Sequence, residues 1–255
     1  MHILLTNDDG ILAPGLRAMR RELARLGEVS VVAPDTVQSA AAHAITINAP
    51  LVAKRVHVHK EFHGWSVAGR PADCVKLAVD QLLERPPDLV VSGINDGANV
   101  SINVLYSGTV AAAAEGALLG FPSIAVSLEW GAELDFDWAA RIAGGLIDRA
   151  VAAPLSPGQL LNVNIPDLSS GPPLGVRVAP QTVQRMDDYY ERRDAPDGSD
   201  QYYLQGWFKE PDGDVAGDLK ALLGHYVVVT PLHFDLTDHA QLRDLAGWEW
   251  GPIPS

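Results

Sequence analysis

Residues 2–35 read HILLTNDDGILAPGLRAMRRELARLGEVSVVAPD, and this stretch decides the fold. It opens on HILLT, an apolar run of strand length. From Pro14 onward, Leu16, Met19, Leu23 and Leu26 recur on one helical face, and Gly27 supplies the stop. VSVVAPD, residues 29–35, is apolar again and reads as a second strand. Strand, helix and strand in this order point to a parallel pair joined by a crossover.

The pattern repeats downstream. WSVAG leads into PADCVKLAVDQLLER, where Val75, Val79 and Leu82 share a face. PDLVVSGIN is apolar throughout, as a strand covered on both faces requires. SGTVAAAAEGALLG is an Ala-rich helix, PSIAVSL a strand, DWAARIAGGLIDRAV a helix and LLNVNIP a strand. This alternation predicts an α/β fold: a mostly parallel sheet with helices on both faces. Near residue 175 the pattern changes. GVRVAPQTVQRMDDYYERRD and QYYLQGWFKE are aromatic and strand-like, separated by the turn-prone APDGSD, and read as a long β-hairpin. The expected organisation is a core over residues 1–175. Residues 176–255 are expected to carry the extended hairpin arm, a returning strand (YVVVTPLHFDLTD) and a last helix, without forming an independent domain. Little sequence remains to cover the hairpin's apolar side chains. Either a partner subunit covers them or they lie against their own domain.

Composition narrows the function classes. The chain of 255 residues is 47% hydrophobic, enough for a substantial core, and carries a net charge of −13. A surface that negative repels a nucleic-acid backbone, and no block of Lys or Arg overrides it. Any phosphate ligand must find its positive charge locally. The single cysteine, Cys74, fits a reducing compartment. No secretory signal is expected, because acids arrive by Asp8, and no apolar run reaches the ~18 residues of a membrane span. The expected setting is the cytoplasm, with no membrane partner.

In an open parallel sheet, ligands sit beyond the carboxyl ends of the strands. The first strand runs into Asn7-Asp8-Asp9-Gly10. The second is followed by Asp35 and VQSAAAH, which holds Ser39 and His43. LVVSGI is followed by Asn95, then Gly97 and Asn99. Adjacent strand residues face opposite ways, so Asp8 and Asp9 reach one ion only where the chain is already turning, which Gly10 permits. Two carboxylates with the neutral oxygens of Ser39 and Asn95 suit one Mg²⁺ or Mn²⁺, and they are a poor set for zinc. NDDG taken alone reads first as a polar turn, and the neighbouring strand ends shift the balance toward a metal. Ser107-Gly108-Thr109, at the start of the Ala-rich helix, offers hydroxyls and backbone N–H groups to an anion, or plain N-capping. No P-loop or dinucleotide fingerprint follows a strand. His57, His59 and His63 fit an exposed edge better than a metal site. Cys74 reads as buried filler, and His239 as structural.

With these strand ends assembled, the chain resembles the SurE family of metal-dependent nucleotidases. The residues that carry the resemblance are TNDDGILAPGL, VVAPDTVQSAAAHAIT, GRPADCVKLA, PDLVVSGIND, YSGTVAAAAEG, LNVNIP and TPLHFDLTD. It implies a Rossmann-like core and hydrolysis of nucleoside monophosphates at the 5′ position, with the 3′ position left open as a second one. It implies a divalent metal at Asp8, Asp9, Ser39 and Asn95, with the catalytic role on the two aspartates. It implies phosphate binding at Ser107, Gly108 and Thr109 with Asn99 nearby, and a homodimer or homotetramer built through the C-terminal arm. Two stretches depart from the family pattern. Ala40, Ala41 and Ala42 stand where the family commonly has Gly and then Ser. Ser101 and Asn103 stand where it typically has Gly and Asp.

Overall fold

The structure is a computed structural model that describes residues 1–153, 155–183, 187–207 and 216–251, without the side chains of Phe62 and Trp207. The first part of the chain builds β1 (His2–Thr6), α1 (Pro14–Leu23), β2 (Glu28–Pro34), β3 (Ala53–Val58), β4 (Glu61–Val67), α2 (Pro71–Leu77), β5 (Leu89–Asp96) and α3 (Gly108–Leu118). Then come β6 (Ser123–Leu128), α4 (Phe136–Ala152), β7 (Leu160–Ile165), β8 (Val176–Val178), β9 (Asp187–Asp194), β10 (Asp200–Trp207), α5 (Asp218–Leu223), β11 (Val227–Leu232) and α6 (His239–Ala246). Nine strands form one sheet in the order β3-β4-β2-β1-β5-β6-β7-β11-β8. From β4 to β7 every neighbouring pair is parallel. The strand order reverses at β1, which lies between β2 and β5, so a crevice opens beyond the carboxyl ends of these strands.

Both faces of the sheet are covered, and the alternation within each central strand says how. Ile3, Leu5, Val31 and Val91 point toward the layer of α1 and α4. Leu4, Val32 and Val90 point toward α2 and α3. All seven are buried, which stabilises the fold by about 1.5–3 kcal/mol for each large aliphatic side chain. Leu16, Met19 and Leu23 of α1 are fully buried and Leu26 packs against them. In α3 every residue except Leu118 is buried. Its alanines let the helix lie close against the sheet, which sets its N-terminus in the crevice.

Several local expectations are corrected. The strand anticipated at WSVAG begins earlier, at Glu61, and pairs antiparallel with β3 as an edge hairpin. His59 and Lys60 form its tight turn, with φ of 51° and 69°. The helix expected over PADCVKLAVDQLLER is α-helical only to Leu77; a single π turn, Ala78–Leu82, finishes it. Beyond residue 175, β8, expected as part of the hairpin, instead joins the core sheet beside the returning strand β11, which runs antiparallel to β7. The hairpin itself forms as expected. β9 and β10 pair antiparallel in a separate two-stranded sheet, with Tyr189, Tyr190, Tyr202, Tyr203 and Leu204 exposed. Residues 184–186, within the first predicted run, and 208–210, at the end of the second, lie outside those described.

A buried carboxylate that the sequence does not advertise ties this edge to the crevice. Asp218, at the start of α5, accepts from the backbone N–H of Ser101 (2.8 Å), Thr182 (3.0 Å) and Leu219 (2.8 Å), and from the Thr182 hydroxyl (2.7 Å). It thereby fixes the loop that leads to residues 107–109.

Candidate active site

β1 ends in a turn rather than continuing as a strand. Asn7 closes it, donating from Nδ2 to the Gly10 carbonyl (3.1 Å) and accepting the Gly10 N–H at Oδ1 (3.2 Å). Gly10 has φ of +100°, a conformation that a side chain resists. The turn presents Asp8 and Asp9 at the crevice from two successive positions.

Asp8 is buried against the N-terminus of α3. Its Oδ2 accepts the Thr109 backbone N–H at 3.0 Å, and its Oδ1 accepts the Thr109 hydroxyl. The positive end of the helix dipole therefore faces the Asp8 carboxylate. Burial nonetheless raises its pKa, against the lowering effect of these hydrogen bonds. Among the described residues Asp9 accepts one weak bond, from the Asp96 backbone N–H at 3.3 Å. Burial, then the charge of Asp8, pushes its carboxyl up to about 6. Two neighbouring acids held above their usual range form a site short of positive charge.

The other two candidate ligands are drawn to this pair by the backbone. The Gln38 N–H donates to the Asp8 carbonyl (2.8 Å), bringing the loop that carries Ser39 against the end of β1. Ser39 is exposed at a turn. Asn95 sits just past a register irregularity in β5, one residue before the Asp96 N–H that holds Asp9. Its Nδ2 is spent on the Gly97 carbonyl (2.6 Å), so its Oδ1 is the atom that could face a cation. Among the described residues no group of three His, Cys, Asp or Glu side chains forms a metal cluster. The donor set is thus two carboxylates with amide and hydroxyl oxygens, which fits a hard divalent cation.

The anion-binding candidates gather at the same helix. Ser107 caps α3, its Oγ accepting the Val110 N–H (3.0 Å) and its own proton left to donate. Thr109 spends both donors on Asp8. Gly108 lies so close to Asp8 that an added Cβ would be 2.9 Å from the Asp8 Oδ2. Asn99 is buried and fixed from both ends: its N–H donates to Asn164 Oδ1 (2.7 Å), its Nδ2 to Ser127 Oγ (2.8 Å), and its carbonyl accepts from Asn162 (2.8 Å).

The Ser39 loop has its own anchor. His43 Nε2 lies 2.8 Å from Glu115 Oε2, and Lys76 donates to Glu115 Oε1 (2.9 Å). Burial would raise the Glu115 pKa, but the hydrogen bonds and charges of His43 and Lys76 outweigh it and hold the carboxyl below its usual range. A depressed acid adds stability that is present above its unfolded pKa and lost as pH falls through the folded value. Glu115→Gln is therefore expected to lower Tm at pH 7 by several degrees, about 2–4 °C per kcal/mol for a chain of this size. The gap from the parent should close as the scans are taken down toward pH 3.

Two departures from the family pattern fall at left-handed backbone positions. Ala40, Ala42 and Ser101 have φ of 54°, 50° and 55°. Ala40 and Ser101 are positions where the family usually has glycine, and a side chain there costs about 1 kcal/mol. Ala40→Gly is expected to raise the urea midpoint, by the equivalent of about 0.5–1 kcal/mol, with little change in turnover.

Other sequence candidates resolve as structural. His63, expected on an exposed edge, is instead buried, with its ring nitrogens 3.1 Å from the Ile11 carbonyl and 3.0 Å from Arg20. Cys74 is fully buried, and burial raises its thiol well above reactive range. Two residues at the crevice escape a reading based on strand ends: Asp96, whose backbone holds Asp9, and the exposed Trp130 just beyond β6. The available signal for Trp130 was an aromatic directly after an apolar strand, in SLEW.

The sequence model of the family described as survival protein SurE matches residues 3–188. The chain belongs to the SurE family. It is 48% identical over 255 residues to the 5′-nucleotidase SurE of Rhodopirellula baltica, covering 99% of this chain and 100% of that one. It is 45% identical to the 5′-nucleotidase SurE of Syntrophobacter fumaroxidans, covering 97% and 99%. The fold matches the crystal structure of the SurE protein from Aquifex aeolicus with a TM-score of 0.83 at 35% identity, over 96% of this chain and 98% of that one. The SurE match thus spans both the crevice and the arm.

Proposed function

We infer that this chain is a 5′-nucleotidase, a phosphoric monoester hydrolase that converts nucleoside monophosphates to nucleoside and phosphate. Its SurE relatives carry that activity in their names. The observation that supports it best is the pairing of Asp8 and Asp9, both held above the normal carboxylate range, against a helix N-terminus at the strand-order reversal.

Asp8, Asp9, Ser39 and Asn95 would hold one divalent ion, Mg²⁺ or Mn²⁺. Bound there, it would neutralise charge on the phosphate as the bond to the leaving oxygen breaks. The rest is done by the chain. Thr109 clamps Asp8 in one orientation, and the Asp96 N–H steadies Asp9. The Ser107 hydroxyl and the Gly108 backbone N–H would take phosphate oxygens at the positive end of α3, with Thr109 holding Asp8 beside them and Asn99 as a rigid side wall. Both Asp8 oxygens already accept from Thr109, which disfavours Asp8 as a nucleophile and favours attack by water. Phosphoryl transfer depends mainly on such positioning.

The arm's exposed tyrosines favour assembly through the β9–β10 hairpin into a homodimer or homotetramer. The single buried cysteine favours a reducing cytoplasm. Among the described residues no helix is long and apolar enough to cross a membrane. The test is phosphate release from a panel of nucleoside 5′- and 3′-monophosphates with Mg²⁺, Mn²⁺ or chelator. Metal-dependent release is expected. Binding of nucleotides with no release under any metal would make the chain a sensor instead.

A further inference from the structure

Trp130 is 67% exposed, yet it is not loose. Its Nε1 donates to Asp96 Oδ1 at 2.7 Å. The ring lies over Gly97, so that a Cβ there would come within 3.1 Å of Trp130 Cε2 and Nε1. The two strand ends beneath are bound together, because the Gly97 N–H donates to the Leu128 carbonyl at 2.8 Å. The same Asp96 that orients the indole donates its backbone N–H to Asp9 Oδ2. A large exposed aromatic is therefore fixed in angle and height by the residue that also steadies a catalytic carboxylate.

Packing does not account for this arrangement. Most of the ring is in water, and its one polar atom is already satisfied. The hydrogen bond and the glycine beneath fix the indole plane and leave the rest of its surface open beside the crevice. An exposed, oriented indole suits stacking with a planar ligand and loses little entropy when the ligand arrives. Tyr106 is also exposed. It directly precedes Ser107, at the phosphate end of the site. The base of a nucleotide lies across the ribose from its phosphate, so a platform for it belongs on other elements than residues 107–109, and Trp130 is anchored on Asp96 and Gly97 at the ends of β5 and β6.

We propose that Trp130, oriented by Asp96 and seated on Gly97, is the platform on which the nucleobase of the substrate stacks, and that it favours purines for their larger π surface. The proposal rests on the nucleotidase reading above. Stacking of a base on an aromatic side chain is worth about 1–3 kcal/mol, or about 5- to 150-fold in affinity. Its removal should weaken ground-state and transition-state binding alike, and so should appear in KM and not in kcat.

The test compares purine 5′-monophosphates with ribose 5-phosphate, which has the phosphate and sugar but no base. Trp130→Ala is expected to raise KM for the purine nucleotides about 10-fold or more with kcat nearly unchanged. It should leave ribose 5-phosphate kinetics alone and weaken competitive inhibition by adenosine to a similar degree. Trp130→Phe should recover most of the loss, because it keeps a π face. Thermal melts confirm that both variants are folded. Unchanged purine KM in Trp130→Ala would overturn the proposal, as would an equal rise for ribose 5-phosphate. A parent enzyme that releases no phosphate from nucleotides would overturn the nucleotidase reading, an outcome distinct from either.

Discussion

Asp9→Asn is expected to lower metal-dependent nucleotide hydrolysis by at least about 100-fold while making the metal-free protein more stable. The two effects share a cause. Asp9 is half-buried beside Asp8, which is itself buried, and among the described residues its one hydrogen bond is the long one from the Asp96 N–H. Moving its pKa from 3.8 to about 6 means that the ionised form costs the fold at most about 3 kcal/mol at pH 7. The sign follows from linkage. A carboxyl raised in the folded state is no burden below its unfolded pKa, and its cost grows as pH rises toward the folded value. In chelator at pH 7, Asp9→Asn should therefore melt above the parent, and the advantage should disappear near pH 4. Added Mn²⁺ should stabilise the parent strongly and the variant little. Asp8→Asn should lose activity equally but gain no stability. Both oxygens of Asp8 accept from Thr109, and an amide can supply only one acceptor there. Urea melts in chelator and in Mn²⁺ separate the two variants. Wild-type turnover in either one would remove the proposed roles of the pair.

The contrast between these aspartates also marks what a sequence can carry. The strand ends holding Asp8, Ser39 and Asn95 were legible because period-2 burial on both faces makes central strands continuous apolar runs. In a parallel sheet such runs end on the same side. The weight each residue bears was not legible, because it depends on contacts across 87 or 101 positions, such as Asp96 to Asp9 and Thr109 to Asp8. Polar edges failed for the opposite reason. β3 has no fully buried residue, and β8 is three exposed residues long, so neither leaves an apolar signature. Asp218 looks like a common helix-start acid in sequence. Only the fold turns it inward, onto the N–H groups of Ser101 and Thr182. Trp130 escaped for a similar reason: an exposed aromatic has meaning only when its anchor is known, and Asp96 is 34 residues away.

Gly108→Ala tests the closest contact in the site. By helix propensity alone the substitution should help, since alanine is better than glycine inside a helix by about 1 kcal/mol. The crevice opposes it. The new Cβ would lie 2.9 Å from both Asp8 Cβ and Asp8 Oδ2, and 3.1 Å from Pro71 Cγ at the start of α2. Pro71 is a rigid ring and Asp8 is held by Thr109, so neither neighbour swings away freely. Relief requires α3 to retreat from β1 or the Asp8 carboxylate to turn, and either movement strains the 3.0 Å bond from the Thr109 N–H. It also carries the Ser107 and Gly108 donors away from the place where the phosphate should sit. Misplacement of about 1 Å at such a centre costs about 100-fold in rate. The expected result is a kcat lower by about that factor and weaker Mn²⁺ binding by calorimetry. Tm should change by only a few degrees, because the propensity gain offsets part of the clash. A variant that kept the parent's kcat and Mn²⁺ affinity would mean that the helix terminus can give way without consequence, and that its close approach to Asp8 is not what aligns the reaction.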